Sequence, residues 1–102
     1  MHLPYIPKQF YKTPLAVLGY VWDWSRWLTQ RGDTIASIEF LCDKTGLTFG
    51  TPVNVAGVIT VPISGGALKE KYFVTCKITT TGLGVAGVLV NTRSMVLCIV
   101  NM

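Results

Sequence analysis

The spacing of short β-forming runs limits the folds that this 102-residue chain can adopt. Runs rich in Val, Ile, Thr and aromatic residues alternate with Gly, Pro and Asp turn signals about every 8–12 residues, a pattern typical of all-β sandwiches and barrels. In the clearest run, residues 71–80, one face of the expected strand carries Tyr72, Val74, Cys76 and Ile78. The spacing predicts an all-β, single-domain fold of about six or seven strands.

The remaining strands follow from similar runs, and helix is expected over one or two turns only. Further strands are expected at residues 15–22, 34–42, 47–49 and 58–63, with a last strand from about 88 or 92 to 100. Thr51-Pro52 restricts the residues that follow to an edge strand or a bend. Gly65-Gly66 followed by Tyr72 is similar to the turn and tyrosine corner of immunoglobulin-like sandwiches, which favours that kind of sandwich.

The first 12 residues are expected to form an extended arm. Pro4 and Pro7 fix their own φ and push the residues before them towards extended conformations, and the segment has no core-forming pattern. Chain termini are ordered when something ties them down, so we expect this arm to dock on another surface. The sequence thus divides into an extended N-terminal arm at 1–12 and a β-sandwich domain at 13–102.

The chain is poor in charge. Charged residues make up 14% and hydrophobic residues 50% of the sequence, whereas a charged share of about 25% is usual. Because exposed apolar patches mark interaction sites, we expect other subunits or partners to cover part of the surface. The candidate interface residues are Tyr5, Ile6, Phe10, Tyr11, Leu83, Val85 and Val88.

Charge and cysteine content exclude several kinds of partner. The net charge is +4, yet there is no dense basic face interleaved with aromatic residues, so no nucleic-acid partner is expected. Cys42, Cys76 and Cys98 are widely spaced and His2 is the single histidine, so no metal site is predicted and the thiols are expected to be buried and reduced. No apolar run reaches the roughly 18 residues of a membrane span, so no membrane partner is expected.

No set of residues fits an enzyme, so no catalytic residue, cofactor or small-molecule substrate is predicted. His2 lies on the expected arm, where it cannot serve a buried triad. Asp23 is explained better as a turn cap than as a catalytic acid with a raised pKa. The segment from Gly82 to Gly87 matches a loose GxGxxG, but the residues after it favour a strand instead of the helix that a dinucleotide site needs, which predicts a hairpin loop.

All three tryptophans, Trp22, Trp24 and Trp27, lie within six residues of one another. A short helical turn capped by Asp23 or Ser25 is expected to carry Trp27. A packed corner beneath the sheets is favoured because Trp is mostly buried, and an exposed platform for carbohydrate is the alternative. The residues assigned to the structural corner are Trp22, Asp23, Trp24, Ser25, Trp27, Leu28, Gly32 and Asp33.

Two stretches of the chain resemble a family of small tailed-phage structural proteins, the fiber-tail adaptor proteins. The first runs from Lys12-Thr13-Pro14 through Asp23-Trp24-Ser25-Arg26-Trp27-Leu28 to Gly32-Asp33-Thr34-Ile35. The second comprises Gly65-Gly66, Tyr72-Phe73-Val74, Ile78-Thr79-Thr80 and Arg93-Ser94-Met95. The chain departs from the family pattern after Thr80, where Gly82 to Val90 is apolar and glycine-rich instead of polar.

The resemblance implies a virion component, assembled in the bacterial host cytoplasm, with an immunoglobulin-like β-sandwich and no catalytic residues. It implies a position where fibers meet tail, head–tail connector or portal subunits, so these virion proteins are the expected partners. The arm, one sheet face and the loops would supply the contacts by strand-edge pairing and burial. The alternative function is a surface module that binds carbohydrate or a host through exposed tryptophans.

Overall fold

Eight strands and one helix make up the part of the chain that the computed structural model describes, residues 8–84 and 86–101. The elements are β1 (Lys8–Lys12), β2 (Leu18–Asp23), α1 (Ser25–Arg31), β3 (Ile35–Cys42), β4 (Leu47–Phe49), β5 (Val53–Val55), β6 (Val58–Gly65), β7 (Lys71–Thr80) and β8 (Val90–Ile99). The predicted all-β class is confirmed. No helix in the described ranges is long and apolar enough to cross a membrane.

The strands form two sheets, in agreement with the predicted sandwich. The first sheet has the order β1-β8-β7-β3, in which β1 runs parallel to β8 and the other neighbours are antiparallel. The second has the order β2-β6-β4, and β5 also pairs with β6. Because β2 occupies one side of β6, β4 and β5 pair with successive parts of its other side. One edge of this second sheet is therefore a single strand, β2, and the other is divided into two short strands.

The core lies between the inward faces of the two sheets and extends to the helix. Along β7, buried residues alternate with more exposed ones, as the sequence predicts for residues 71–80, and the even-numbered apolar residues face the core. The core consists of Tyr20, Trp22, Trp24, Leu28, Ile59, Val61, Ile63, Tyr72, Val74, Cys76, Ile78, Met95, Leu97 and Ile99.

The predicted burial of the thiols is confirmed for two of the three cysteines. Cys76 and Cys98 are buried and Cys42 is half-buried, and all three are free thiols. Burial raises the pKa of the Cys76 thiol to about 11. This thiol is therefore neutral at physiological pH and packs as a small apolar side chain.

Three boundaries differ from the sequence predictions. Residues 8–12, expected to end the arm, form β1, because the edge of β8 offers them backbone partners from Met95 to Ile99. Residues 15–17, expected to begin a strand, instead form the second half and the exit of a turn, in which the Ala16 N–H donates to the Thr13 carbonyl at 3.2 Å. β6 runs on to Gly65, expected to lie in a turn, because Gly65 pairs with Leu47 of β4.

Candidate interaction surfaces

The structural corner is built around α1, whose seven residues make about two turns, within the expected length. Asp23 Oδ1 accepts hydrogen bonds from the Ser25 N–H at 2.9 Å and from Ser25 Oγ at 2.5 Å. The N-cap position itself is Trp24, which makes no side-chain cap bond, so Asp23 binds the first helical N–H from one residue before the cap. These bonds hold the pKa of the Asp23 carboxyl below its usual value, the opposite of what a general acid needs. Gly32, at φ +63°, ends the helix in the left-handed conformation and donates its N–H to the Leu28 and Thr29 carbonyls.

The tryptophans of the corner are packed inwards. Trp24 is 0% exposed and Trp22 is 6% exposed, while Trp27 is half-buried and meets Trp24 edge to face at 5.8 Å between ring centroids. The Arg31 guanidinium covers the Trp27 ring at 4.4 Å. Trp22 also packs against Phe40 of β3, at 5.4 Å between ring centroids. The cluster thus joins the helix to both sheets and leaves little aromatic surface for a ligand.

Arg93 of β8 clamps the corner from the opposite sheet. Its guanidinium lies 4.3 Å from the centroid of the Trp24 ring and donates a hydrogen bond to the Asp23 carbonyl at 2.7 Å. Trp22 Nε1–H donates in return to the Arg93 carbonyl at 3.2 Å. The residues assigned to the corner from the sequence did not include Arg93; the only signal for it was its place in the Arg93-Ser94-Met95 motif of the resemblance.

Lys12 is a second residue whose role the sequence does not reveal. It is fully buried at the end of β1, where its Nζ donates to the Thr13 carbonyl at 2.7 Å and to the Pro14 carbonyl at 3.3 Å. Burial lowers the pKa of this ammonium. The Lys-x-Pro motif therefore stabilises a local turn, because the lysine donates hydrogen bonds to the carbonyls of the two residues that follow it.

Asp33 anchors the loop between β7 and β8. Its Oδ1 accepts hydrogen bonds from the Thr34 N–H at 2.8 Å, the Thr81 hydroxyl at 2.8 Å and the Leu83 N–H at 3.1 Å. Burial disfavours the charged form of this carboxyl, but the hydrogen bonds outweigh that effect and hold its pKa well below the usual range. A Cβ at Gly84 would collide with the Arg31 carbonyl oxygen, so the loop lies directly on the end of the helix.

The loop that carries the GxGxxG pattern is a connection between two strands, as predicted. Residues 82–87 lie between the end of β7 at Thr80 and the start of β8 at Val90, and no helix follows them. Thr80 and Leu89 close the loop, since the Thr80 N–H donates to the Leu89 carbonyl at 2.8 Å. Among the described residues, no group of three or more His, Cys, Asp and Glu side chains is placed to hold a metal ion.

The candidate interface residues lie on two separate surfaces. Phe10 and Tyr11 are exposed on β1, and Leu83 and Val88 are exposed on the β7–β8 loop, 71% and 64% respectively. Phe10 pairs with Leu97, so residues 90–97 of β8, about 24 Å of strand, separate it from the loop. The described members of the sequence-predicted set therefore form two surfaces, one on β1 and one on the β7–β8 loop. Tyr5, Ile6 and Val85 lie outside the described residues.

A groove runs between β1 and β2 on one side of the sandwich, and we call it the β1–β2 groove. One part has a volume of about 550 Å³ and reaches from Lys8 to Asp23 and Arg93. The second part, about 410 Å³, reaches from Tyr11 to Leu18, and both parts share Phe10 and Val21. Phe10 and Val21, the latter 58% exposed, give the middle of the groove an apolar lining, whereas Lys8, Asp23 and Arg93 line one end of it.

Comparison with known proteins gives one family. A family model described as Podophage GP4 fiber-tail adaptor protein gp77 matches residues 12–96 of the chain. The matched span includes Lys12, the structural corner and the Arg93 clamp, and it confirms the resemblance found in the sequence. No curated protein and no solved structure matches the chain significantly.

Proposed function

The chain belongs to the podophage GP4 fiber-tail adaptor protein family, and from this we propose that it is a non-enzymatic virion protein that joins tail, connector or portal subunits to fibers. The family match over 12–96 is the observation that carries the proposal. Several copies would form a ring, assembled in the bacterial host cytoplasm and retained in the virion. The family description supports the phage, tail and fiber parts of this proposal.

The separation of the two exposed surfaces supports an adaptor role. An adaptor needs two binding faces on a rigid body, and the β1–β2 groove and the β7–β8 loop lie at different ends of β8. The sandwich between them is closed by the Arg93 clamp and by the hydrogen bonds of Asp33. We assign the groove to contacts between copies and the loop to a tail or fiber partner.

We also propose that the sandwich is immunoglobulin-like. The first sheet places the last strand between β7 and an N-terminal strand that runs parallel to it, and the second sheet joins β2, β6 and β4. Tyr72, at the start of β7, accepts a hydrogen bond on its hydroxyl from the Ala67 N–H at 2.9 Å, as a tyrosine corner does. The boundary between arm and sandwich is then best drawn between residues 7 and 8.

The second candidate function, binding of carbohydrate or a host surface through exposed tryptophans, receives no support. Trp22 and Trp24 are buried, and the Arg31 guanidinium covers the half-buried Trp27. A sugar platform requires an accessible aromatic face. The observation that would favour this function is therefore missing from the described surface of the corner.

Mass spectrometry of purified virions tests the proposal directly. In particles of the phage that encodes this chain, we expect its peptides to band with the capsid proteins on a density gradient. A phage that lacks the gene should yield particles without fibers. Absence of the chain from the wild-type particle, or fibered particles from the deletion phage, would contradict the adaptor role.

A further inference from the structure

We propose that the β1–β2 groove binds residues 1–7 of a second copy of this chain, added as an extra strand along the open edge of β2. The inference rests on the proposed function in one respect only, namely that repeated contacts of this kind would close a ring. Its physical basis is the backbone of β2, the lining of the groove and the place where the N-terminal segment leaves the sandwich.

The pairing of Gly19 with Pro62 identifies the backbone groups of β2 that face the open edge. Pro62 has no N–H, and its carbonyl accepts a hydrogen bond at 2.8 Å from the Gly50 N–H, on the side of β6 away from β2. Gly19 and Pro62 therefore form a pair without hydrogen bonds, and by antiparallel alternation Val21 and Thr60 form another. The N–H and C=O groups of Gly19 and Val21 consequently point outwards.

These groups have no hydrogen-bond partner among residues 8–84 and 86–101. The next outward carbonyl, that of Asp23, is already bound by the Arg93 guanidinium, so the available edge ends there. Tyr20, which lines the groove, has a buried hydroxyl that also lacks a partner within the described ranges. An added strand would supply hydrogen bonds to the outward N–H and C=O groups of Gly19 and Val21.

The part of the groove from Val21 to Leu18 favours an apolar occupant. Phe10, Leu18 and Val21 are exposed there although they are apolar, and the Phe10 ring meets Tyr20 edge to face at 5.6 Å. Residues 1–7 contain no Asp, Glu, Lys or Arg and include Leu3, Tyr5 and Ile6. Their side chains match the lining without burying a charge.

The position of Lys8 argues for a second copy as the source of this segment. Lys8 lies at the Asp23 end of the groove, while Tyr11 lies at the Leu18 end. β1 therefore begins at the Asp23 end of β2, and the line of β1, extended backwards from Lys8, leads away from Val21. Seven extended residues span about 23 Å, enough to reach a neighbour, whereas a return to their own groove requires a reversal of the chain.

The oligomeric state of the full-length chain tests the contact. We expect the wild type to form oligomers in sedimentation velocity experiments, and Val21→Lys in the groove or Ile6→Asp in the arm to reduce them to monomers. The matched control is Val55→Lys, which changes another exposed valine, on β5. It should leave the mass unchanged. A monomeric wild type, or oligomers that survive both variants, would overturn the proposal.

Disulfide trapping separates exchange between copies from binding within one chain. In a Cys42→Ser background, we mix a Leu3→Cys variant with a Val21→Cys variant and oxidise them. We expect a linked dimer that requires both variants. A double variant that forms only a bond within its own chain, with no linked dimer from the mixture, would assign the groove to the chain's own arm and overturn the exchange.

The two proposals fail independently. If exchange is disproved while the chain is found in virions, the adaptor role stands without this contact between copies. If the chain is absent from virions while arm and groove variants still abolish oligomers, the contact stands and the adaptor role is wrong.

Discussion

At the scale of single residues, Arg93 holds together parts of the chain that are distant in sequence. Its guanidinium binds the carbonyl of Asp23, 70 residues away, and covers the face of Trp24. The sequence places Trp24 in a packed corner correctly, because large aromatic residues are mostly buried. It does not reveal the arginine, because a contact at this separation depends on which strands of the two sheets come together.

Replacement of Arg93 by Met should weaken the corner without opening the core. We expect the free energy of unfolding to fall by about 1–2 kcal/mol, because the variant loses a cation–π contact and a charged hydrogen bond. Urea unfolding followed by tryptophan fluorescence measures the change. Arg26→Met is the matched control, since Arg26 is exposed on the helix that the same corner contains. Equal losses in both variants would contradict the clamp.

Lys12 shows a second limit of the sequence at this scale. Lysine is among the residues least often buried, so a buried position for it has no basis in residue type. Its burial becomes possible because the Thr13 and Pro14 carbonyls turn towards its Nζ. That geometry follows from the turn at residues 14–15, where the sequence predicts the start of a strand at residue 15 instead.

At the scale of elements, the sequence predicts best what depends on local pattern. The inward face of β7 alternates as expected from Tyr72 to Ile78, because a half-buried strand imposes a period of two. The assignment of residues 8–12 to the arm failed to anticipate β1, since its pairing depends on the free edge of β8.

Asp33 connects three elements: the end of α1, the start of β3 and the β7–β8 loop. Because its hydrogen bonds favour the ionised form, its pKa in the folded protein lies below that in the unfolded chain. The stabilisation it gives is therefore complete above the unfolded value, about 3.9, and is lost as the pH falls below that value. An acidic pH should loosen the loop before it affects the core.

Asp33→Asn should remove this pH dependence. We expect the variant to be less stable than the wild type at neutral pH, and the difference between them to shrink as the pH falls from about 4 to about 2. Urea unfolding at a series of pH values measures it.

Glu39→Gln controls for the loss of one negative charge, because Glu39 lies on the exposed face of β3 and pairs with Lys77 at 3.6 Å. A difference between wild type and Asp33→Asn that stays constant across this pH range would refute the role given to Asp33.

At the scale of the whole molecule, the low charge of the sequence agrees with exposed apolar residues on two separated surfaces. Leu83 belongs to the loop surface, and its side chain is 71% exposed while its N–H is bound by Asp33. A side chain held outwards on an anchored loop suits a contact with a larger structure. The sequence identified Leu83 by its apolar character alone, without the anchor that fixes its position.

Leu83→Glu should separate folding from assembly. We expect the unfolding free energy to change by less than about 0.5 kcal/mol, because the side chain is mostly in solvent. Incorporation into virions, measured by quantitative mass spectrometry of purified particles, should fall several-fold. Val55→Glu, at 66% exposure, serves as the comparison and should be incorporated normally. Normal incorporation of Leu83→Glu would remove the loop from the proposed partner surface.

The divided edge of the second sheet affects how copies of this protein can pair with one another when many of them accumulate. A strand cannot add along β4 and β5 as one unbroken ladder, because Gly50, Thr51 and Pro52 interrupt them. The far edge of the first sheet is likewise distorted by a bulge between Ile35 and Ser37. Edge-to-edge strand pairing between copies that accumulate before assembly is therefore least interrupted along the β1–β2 flank, where both edge strands pair with their neighbours without a break or a register shift.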